Sequence, residues 1–255
     1  MITRTIEIDI GSARVPANIT RASEDAPKSA AVLFLHGLSS SKETQAKEAD
    51  SLARAGFTAV TIDAPHHGAR RSPLLDEIIA ATGAPAHAIL LRMLREAIGE
   101  IPRVVDHLLR EGYGPIGIAG ISMGAFATLG AAAADPRLVA VVSILGSPDW
   151  WPVKGEIDDA ARPWLEEAPV RRPEVFPPRA LLIANAGRDV NVPPEPARRF
   201  AETLRPYYAQ WPERLRYLEY PESGHFMRED DWDDLWRKTV EWLTTHLRGG
   251  AGSGG

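Results

Sequence analysis

The chain has 255 residues, enough to bury the core of one large α/β domain or of two modest ones. Its 29 basic and 34 acidic residues leave a formal charge of -5, so there is no electrostatic case for a nucleic acid partner. It has no Cys, which excludes a disulfide framework, thiolate metal sites and a Cys nucleophile.

The N-terminal MITRTIEIDI alternates polar and apolar residues as a strand does. A secretory leader would show a basic start and an unbroken apolar run instead. No stretch approaches the roughly 20 apolar residues of a membrane helix. The expectation is a soluble, cytoplasmic protein without a membrane partner. Thr3–Ile10 and Val15–Arg21, parted by Gly11-Ser12, are expected to pair as antiparallel strands.

From there the rhythm changes to short apolar runs, each followed by a helical pattern. The runs are AAVLFLHG (30–37), FTAVTIDAP (57–65), GPIGIAGIS (114–122), LVAVVSILG (138–146), ALLIANAG (180–187) and LRYLEYP (215–221). Helices are expected over about Ser41–Ala55, a long region ending near Arg110, an Ala-rich stretch to Ala134, about Glu195–Tyr208 and about Trp232–Leu247. Ser40 and Glu43 fit a capping box at the first of these. Leu90, Leu94, Ala97, Ile101, Val105 and Leu108 form a core-facing stripe, and Pro102 is expected to kink or restart that helix. Such alternation implies a mostly parallel sheet with helices on both faces.

Residues 147–178 interrupt the alternation and hold three of the seven Trp, which argues against disorder and for a small cap. The closing GGAGSGG (249–255) reads as a flexible linker or appended tail, leaving 1–248 as a single expected domain.

The strongest chemical signal is Gly120-Ile121-Ser122-Met123-Gly124, set between a buried strand and a helix. A serine hydroxyl presented on so tight a strand-to-helix turn needs neighbours almost free of side chains, hence the glycines. It also needs a base within reach and a carboxylate to orient that base. Of the seven His, only His225 lies just beyond the last strand, at the sheet edge where the serine sits. Asp189 leaves ALLIANAG directly onto a turn; Asp149 and Asp158, in the expected cap, are the alternatives for the acid. His66 and His67 lack the HxH or HxxxH spacing of a metal site and are expected as structural or pocket-lining residues.

The order Ser122, Asp189, His225, with His36-Gly37-Leu38 and Asp63-Ala64-Pro65-His66-His67-Gly68, resembles the small bacterial carboxylesterases of the α/β-hydrolase fold. The resemblance covers roughly residues 20–248 and lies near the dienelactone-hydrolase and prolyl-oligopeptidase-like branch. It implies an oxyanion hole made by the backbone N–H groups of Leu38 and Met123, with His36 bracing the loop. It also implies short-chain ester hydrolysis of a small molecule without cofactor or metal. A prolyl-oligopeptidase-type peptidase, a cofactor-free perhydrolase and a non-catalytic hydrolase-fold protein are the alternatives. The peptidase reading lacks the large propeller domain and an acidic anchor for a peptide amine. Trp150 and Trp151 follow the strand after the serine helix and are expected at the rim of the substrate pocket. The sequence does not fix the oligomeric state.

Overall fold

A computed structural model of the chain describes residues 1–28, 30–152 and 155–248. The expected tail at 249–255 lies outside the described residues. Eight strands form one sheet in the order β1-β2-β4-β3-β5-β6-β7-β8. They are β1 (Ile2–Asp9), β2 (Arg14–Arg21), β3 (Ala31–Leu35), β4 (Thr58–Ile62), β5 (Ile116–Ile121), β6 (Leu138–Ile144), β7 (Ala180–Ala186) and β8 (Leu215–Tyr220). Only the pairs β1–β2 and β2–β4 are antiparallel; the rest of the sheet is parallel.

Alternate residues along each strand face opposite sides, and the helices divide accordingly. Leu33, Leu35, Ile118, Val141 and Ile183 meet α3 (Gly83–Arg110), α4 (Met123–Ala134) and α6 (Glu195–Leu204). Val32, Phe34, Ala119, Val142 and Leu182 meet α1 (Ala46–Arg54) and α7 (Glu229–Arg248) on the other side. Burial on both faces is why these strands read as continuous apolar runs. Helix α4 is Ala-rich for a related reason. It is buried on nearly every side, between the sheet and α3, where larger side chains would hold the layers apart.

Three local expectations are corrected. Helix α1 begins at Ala46 rather than near Ser41, and no capping box forms: Ser40 Oγ donates to Thr44 Oγ1 instead. Lys42 is drawn inward by Asp63, so residues 41–45 make separate turns before the helix starts. Of the two outcomes expected at Pro102, the restart does not occur: helix α3 runs on through it as one element. The long helical region divides earlier, where Thr82 takes an extended conformation between α2 (Pro73–Ala80) and α3.

The expected cap holds α5 (Arg162–Leu165) and two short 3-10 turns. Trp150, Leu165, Ala168 and Phe176 from this segment are buried in the same cluster as α3, α4 and α6. It packs onto the body of the protein. Among the described residues, no helix is long and apolar enough to cross a membrane.

Candidate active site

Parallel strands end on one edge, and their register brings the loops at that edge together. Leu35 of β3 lies opposite Gly120 of β5, Ile121 opposite Ile144 of β6, and Ala186 of β7 opposite Tyr220 of β8. The chain leaves β5 through Ser122, whose φ of 53° and ψ of -121° are a strained conformation for a residue with a side chain. Two glycines make the turn possible. A Cβ on Gly120 would stand 2.3 Å from the carbonyl oxygen of Gly124, and one on Gly124 would stand 2.3 Å from that of Leu35. The Ser122 N–H donates to the Ile144 carbonyl, and Ala125 and Phe126 N–H donate to the Ser122 carbonyl. Its hydroxyl makes no capping bond to α4 and is left free for another partner.

That partner is His225. The Ser122 hydroxyl and His225 Nε2 lie 3.0 Å apart. On the far side of the ring, His225 Nδ1 lies 2.7 Å from Asp189 Oδ2, so an N–H at Nδ1 donates to the carboxylate. The Asp189 side chain is wholly buried, and its Oδ1 accepts the N–H groups of Asn191 and Val192 at 2.9 Å each. These bonds give the buried charge its partners and hold it to one rotamer. The two loops are tied to one another: Gly187 N–H donates to the Tyr220 carbonyl, and Arg188 N–H to the Ser223 carbonyl. Asp149 and Asp158 instead bind backbone N–H groups two residues ahead, at Trp151 and Ala160. Asp189 is the carboxylate brought to the histidine.

The loop after β3 passes beside the serine, with an added Cβ on Gly37 lying 3.6 Å from that of Ser122. Among the described residues, neither Leu38 N–H nor Met123 N–H has a protein acceptor. Met123 opens α4, where the first N–H groups have no intrahelical acceptor and favour negative charge. His36 braces this loop as expected. Its Nδ1 lies 2.8 Å from the Gly37 carbonyl, and its Nε2 accepts the Ala64 N–H at 3.1 Å. Burial lowers its pKa to about 4, so the neutral ring that this bonding requires persists across the physiological range.

The two adjacent histidines separate. His67 is fully buried, its Nδ1 donating to the Pro65 carbonyl and its ring 5.1 Å from that of His36. This is the structural one of the two expected roles: the turn after Pro65 points it into the protein. His66 is half-buried, with both ring nitrogens engaged by Ser72 and Glu96. Trp150 and Trp151 both border a cavity of about 260 Å³, together with Leu90, Phe126, Asn191 and Val192. Trp150 is buried and its carbonyl binds His87 Nε2, whereas Trp151 is exposed. Leu38, Val190, Phe226 and Trp151 are exposed apolar side chains on the loops around the serine.

The model of the alpha/beta hydrolase family matches residues 32–252. The chain belongs to that family. It is 32% identical over 237 residues to the Bacillus subtilis (strain 168) protein named "Putative esterase YitV", covering 85% of this chain and 89% of that one. The crystal structure of TT1662 from Thermus thermophilus superposes with a TM-score of 0.76 at 27% identity, covering 95% and 97% of the two chains. Acylaminoacyl peptidase from Pyrococcus horikoshii shares the fold at 16% identity and a TM-score of 0.74. The match spans 96% of this chain and 42% of that longer one.

Two outcomes follow from the geometry. Gly124→Ala would force the turn open, and a melting temperature several degrees below wild type is expected, with hydrolase activity lost in parallel. His36 is neutral when folded down to about pH 4 but titrates near 6.5 when unfolded. Proton uptake then favours the unfolded chain as pH falls through that window, removing up to ~3 kcal/mol of stability. Urea unfolding at pH 7 and pH 4.5 is expected to show a smaller difference for His36→Gln than for wild type; equal differences would assign the acid sensitivity elsewhere.

Proposed function

We propose that this hydrolase cleaves carboxylic esters by acyl transfer to Ser122. The observation that carries the reading is the continuous hydrogen-bonded path from the Ser122 hydroxyl through His225 to the buried Asp189. In this account His225 Nε2 takes the hydroxyl proton as Ser122 Oγ attacks the acyl carbon. Asp189 holds the ring in the Nδ1–H tautomer and stabilises the imidazolium that forms. The N–H groups of Leu38 and Met123 receive the negative charge on the former carbonyl oxygen, each contributing about 3 kcal/mol. The imidazolium then protonates the leaving alcohol. His225 next removes a proton from water as its oxygen attacks the acyl carbon; the bond to Ser122 Oγ breaks, the imidazolium returns that proton to Oγ, and the acid is released.

The apolar side chains on the surrounding loops, and a neighbouring cavity bordered by Trp150 and Trp151, support an uncharged ester with a short acyl group. The similarity to a protein named as an esterase supports ester over amide substrates. The reading needs no cofactor and no metal, and the partner is the small-molecule ester alone.

Ser122→Ala is expected to fold normally and to lose on the order of 10⁴-fold or more in hydrolysis of p-nitrophenyl butanoate. Retained turnover would overturn the reading, as would faster cleavage of amino-acid anilides than of esters by the wild type. For the pocket, Trp151 is the cleaner probe, because removing the buried Trp150 would itself destabilise the core by about 3–5 kcal/mol. Trp151→Ala is expected to shift the octanoate-to-butanoate ratio of kcat/KM upward by roughly 1–3 kcal/mol. An unchanged ratio would remove Trp151 from the acyl pocket.

A further inference from the structure

The most deeply buried ion pair near the site takes no part in the proton path. Asp63 follows β4 directly and is wholly inaccessible; Lys42 lies in the loop between β3 and α1 with a side chain only 7% exposed. Lys42 Nζ donates to Asp63 Oδ2 at 2.9 Å, and the Lys42 main-chain N–H donates to Oδ1 at the same distance. Oδ2 also accepts the Ala69 N–H at 3.0 Å. Gly68, at φ +52°, lies so close that a Cβ there would stand 2.1 Å from Oδ1. One carboxylate thereby bolts two loops together.

The loop from Gly37 to Gln45 is the one that carries Leu38. It contains no strand or helix, and few bonds within it restrain it: Ser40 N–H to the Gly37 carbonyl, Thr44 N–H to the Ser41 carbonyl, and short side-chain contacts. Its ends are fastened to the loop after β4, by His36 on Ala64 and by Lys42 on Asp63. Leu38 lies between the two fastenings. Burying two opposite charges is an inefficient way to gain stability, since an apolar pair of similar size does as well or better. Lys42 Nζ also pairs with Glu43 Oε1, on the exposed side, at 2.7 Å; what the buried partner adds is direction, because Asp63 is itself held by two N–H groups and fixes where the ammonium sits. Burial acts to lower the Lys42 pKa, but hydrogen bonds to Glu43 and Asp63 outweigh it and the net shift is upward, so the cation persists.

We propose that Lys42 and Asp63 are positioning residues, whose buried ion pair holds the loop after β3 so that the Leu38 N–H points at the oxyanion formed on attack by Ser122. The proposal rests on the acyl-transfer reading above. It extends the working parts of the site to a residue pair that touches no substrate.

The test compares Lys42→Met and Lys42→Arg with wild type, using p-nitrophenyl acetate as substrate and phenylboronic acid as a probe that forms a tetrahedral adduct with the serine. Lys42→Met is expected to lower kcat by about 10–100-fold with KM changed less than about twofold, because a displaced donor weakens the transition state and not the ground state. The boronic acid should bind more weakly by a similar factor, and Lys42→Arg should recover most of both losses. Thermal melts confirm that each variant is folded. If Lys42→Met does not fold, Asp63→Asn, which removes the charge that holds the Lys42 ammonium, takes its place and the same losses are expected. A folded variant that breaks the pair, Lys42→Met or Asp63→Asn, with wild-type kcat and boronic acid affinity would overturn the proposal. So would a loss in rate that only follows the folded fraction. Ser122→Ala separates the two ideas: if it stays active, the acyl-transfer reading fails first; if it is dead while the Lys42 variants are unaffected, only the positioning role fails.

Discussion

Everything at this site hangs on one left-handed residue. Ser122 leaves a buried parallel strand and enters a buried helix with a positive φ, and the sheet, the helix and the neighbouring loop close around that turn. The conformation is costly for a residue with a side chain. It is tolerated because Gly120 and Gly124 let backbone pass within distances that no Cβ would allow. The return is geometric. The hydroxyl projects from the edge of the sheet, away from its own helix, toward loops that arrive from β3, β7 and β8.

The parallel register then does the assembling. Strand ends that lie side by side bring together residues far apart in sequence, and main-chain bonds between the β7 and β8 loops fix the acid against the histidine. Asp189 is satisfied at both oxygens, by the imidazole on one side and by two N–H groups on the other. A second buried carboxylate, Asp63, is satisfied in the same manner on the opposite side of β3 and β5. The site is thus flanked by two carboxylates with different work: one orients a ring, the other a loop.

The parts legible in the sequence were those with local signatures. Apolar runs marked the six parallel-sheet strands to within a few residues, since burial on both faces leaves little room for polar side chains. The Ser122 turn was legible through its glycines, and Asp189 and His225 through their places just beyond strands. What failed depended on contacts at a distance. The start of α1 was misplaced because Lys42 answers to Asp63, 21 residues away, rather than to its own helix. Which of the two adjacent histidines faces inward was not legible either: a turn buries His67 against His36 and leaves His66 to Ser72 and Glu96. The one available hint of the Lys42–Asp63 pair was an Asp directly after an apolar strand, a position where a carboxylate needs a buried partner.

Covalent capture decides whether Ser122 is the nucleophile. The wild-type protein is treated with a fluorophosphonate, digested, and the modified peptide sequenced by mass spectrometry. One adduct is expected, on Ser122, formed in step with loss of hydrolytic activity, and slowed severely by Asp189→Asn, which removes the charge that stabilises the imidazolium. An adduct on another residue, or complete inactivation with Ser122 unmodified, would contradict that role.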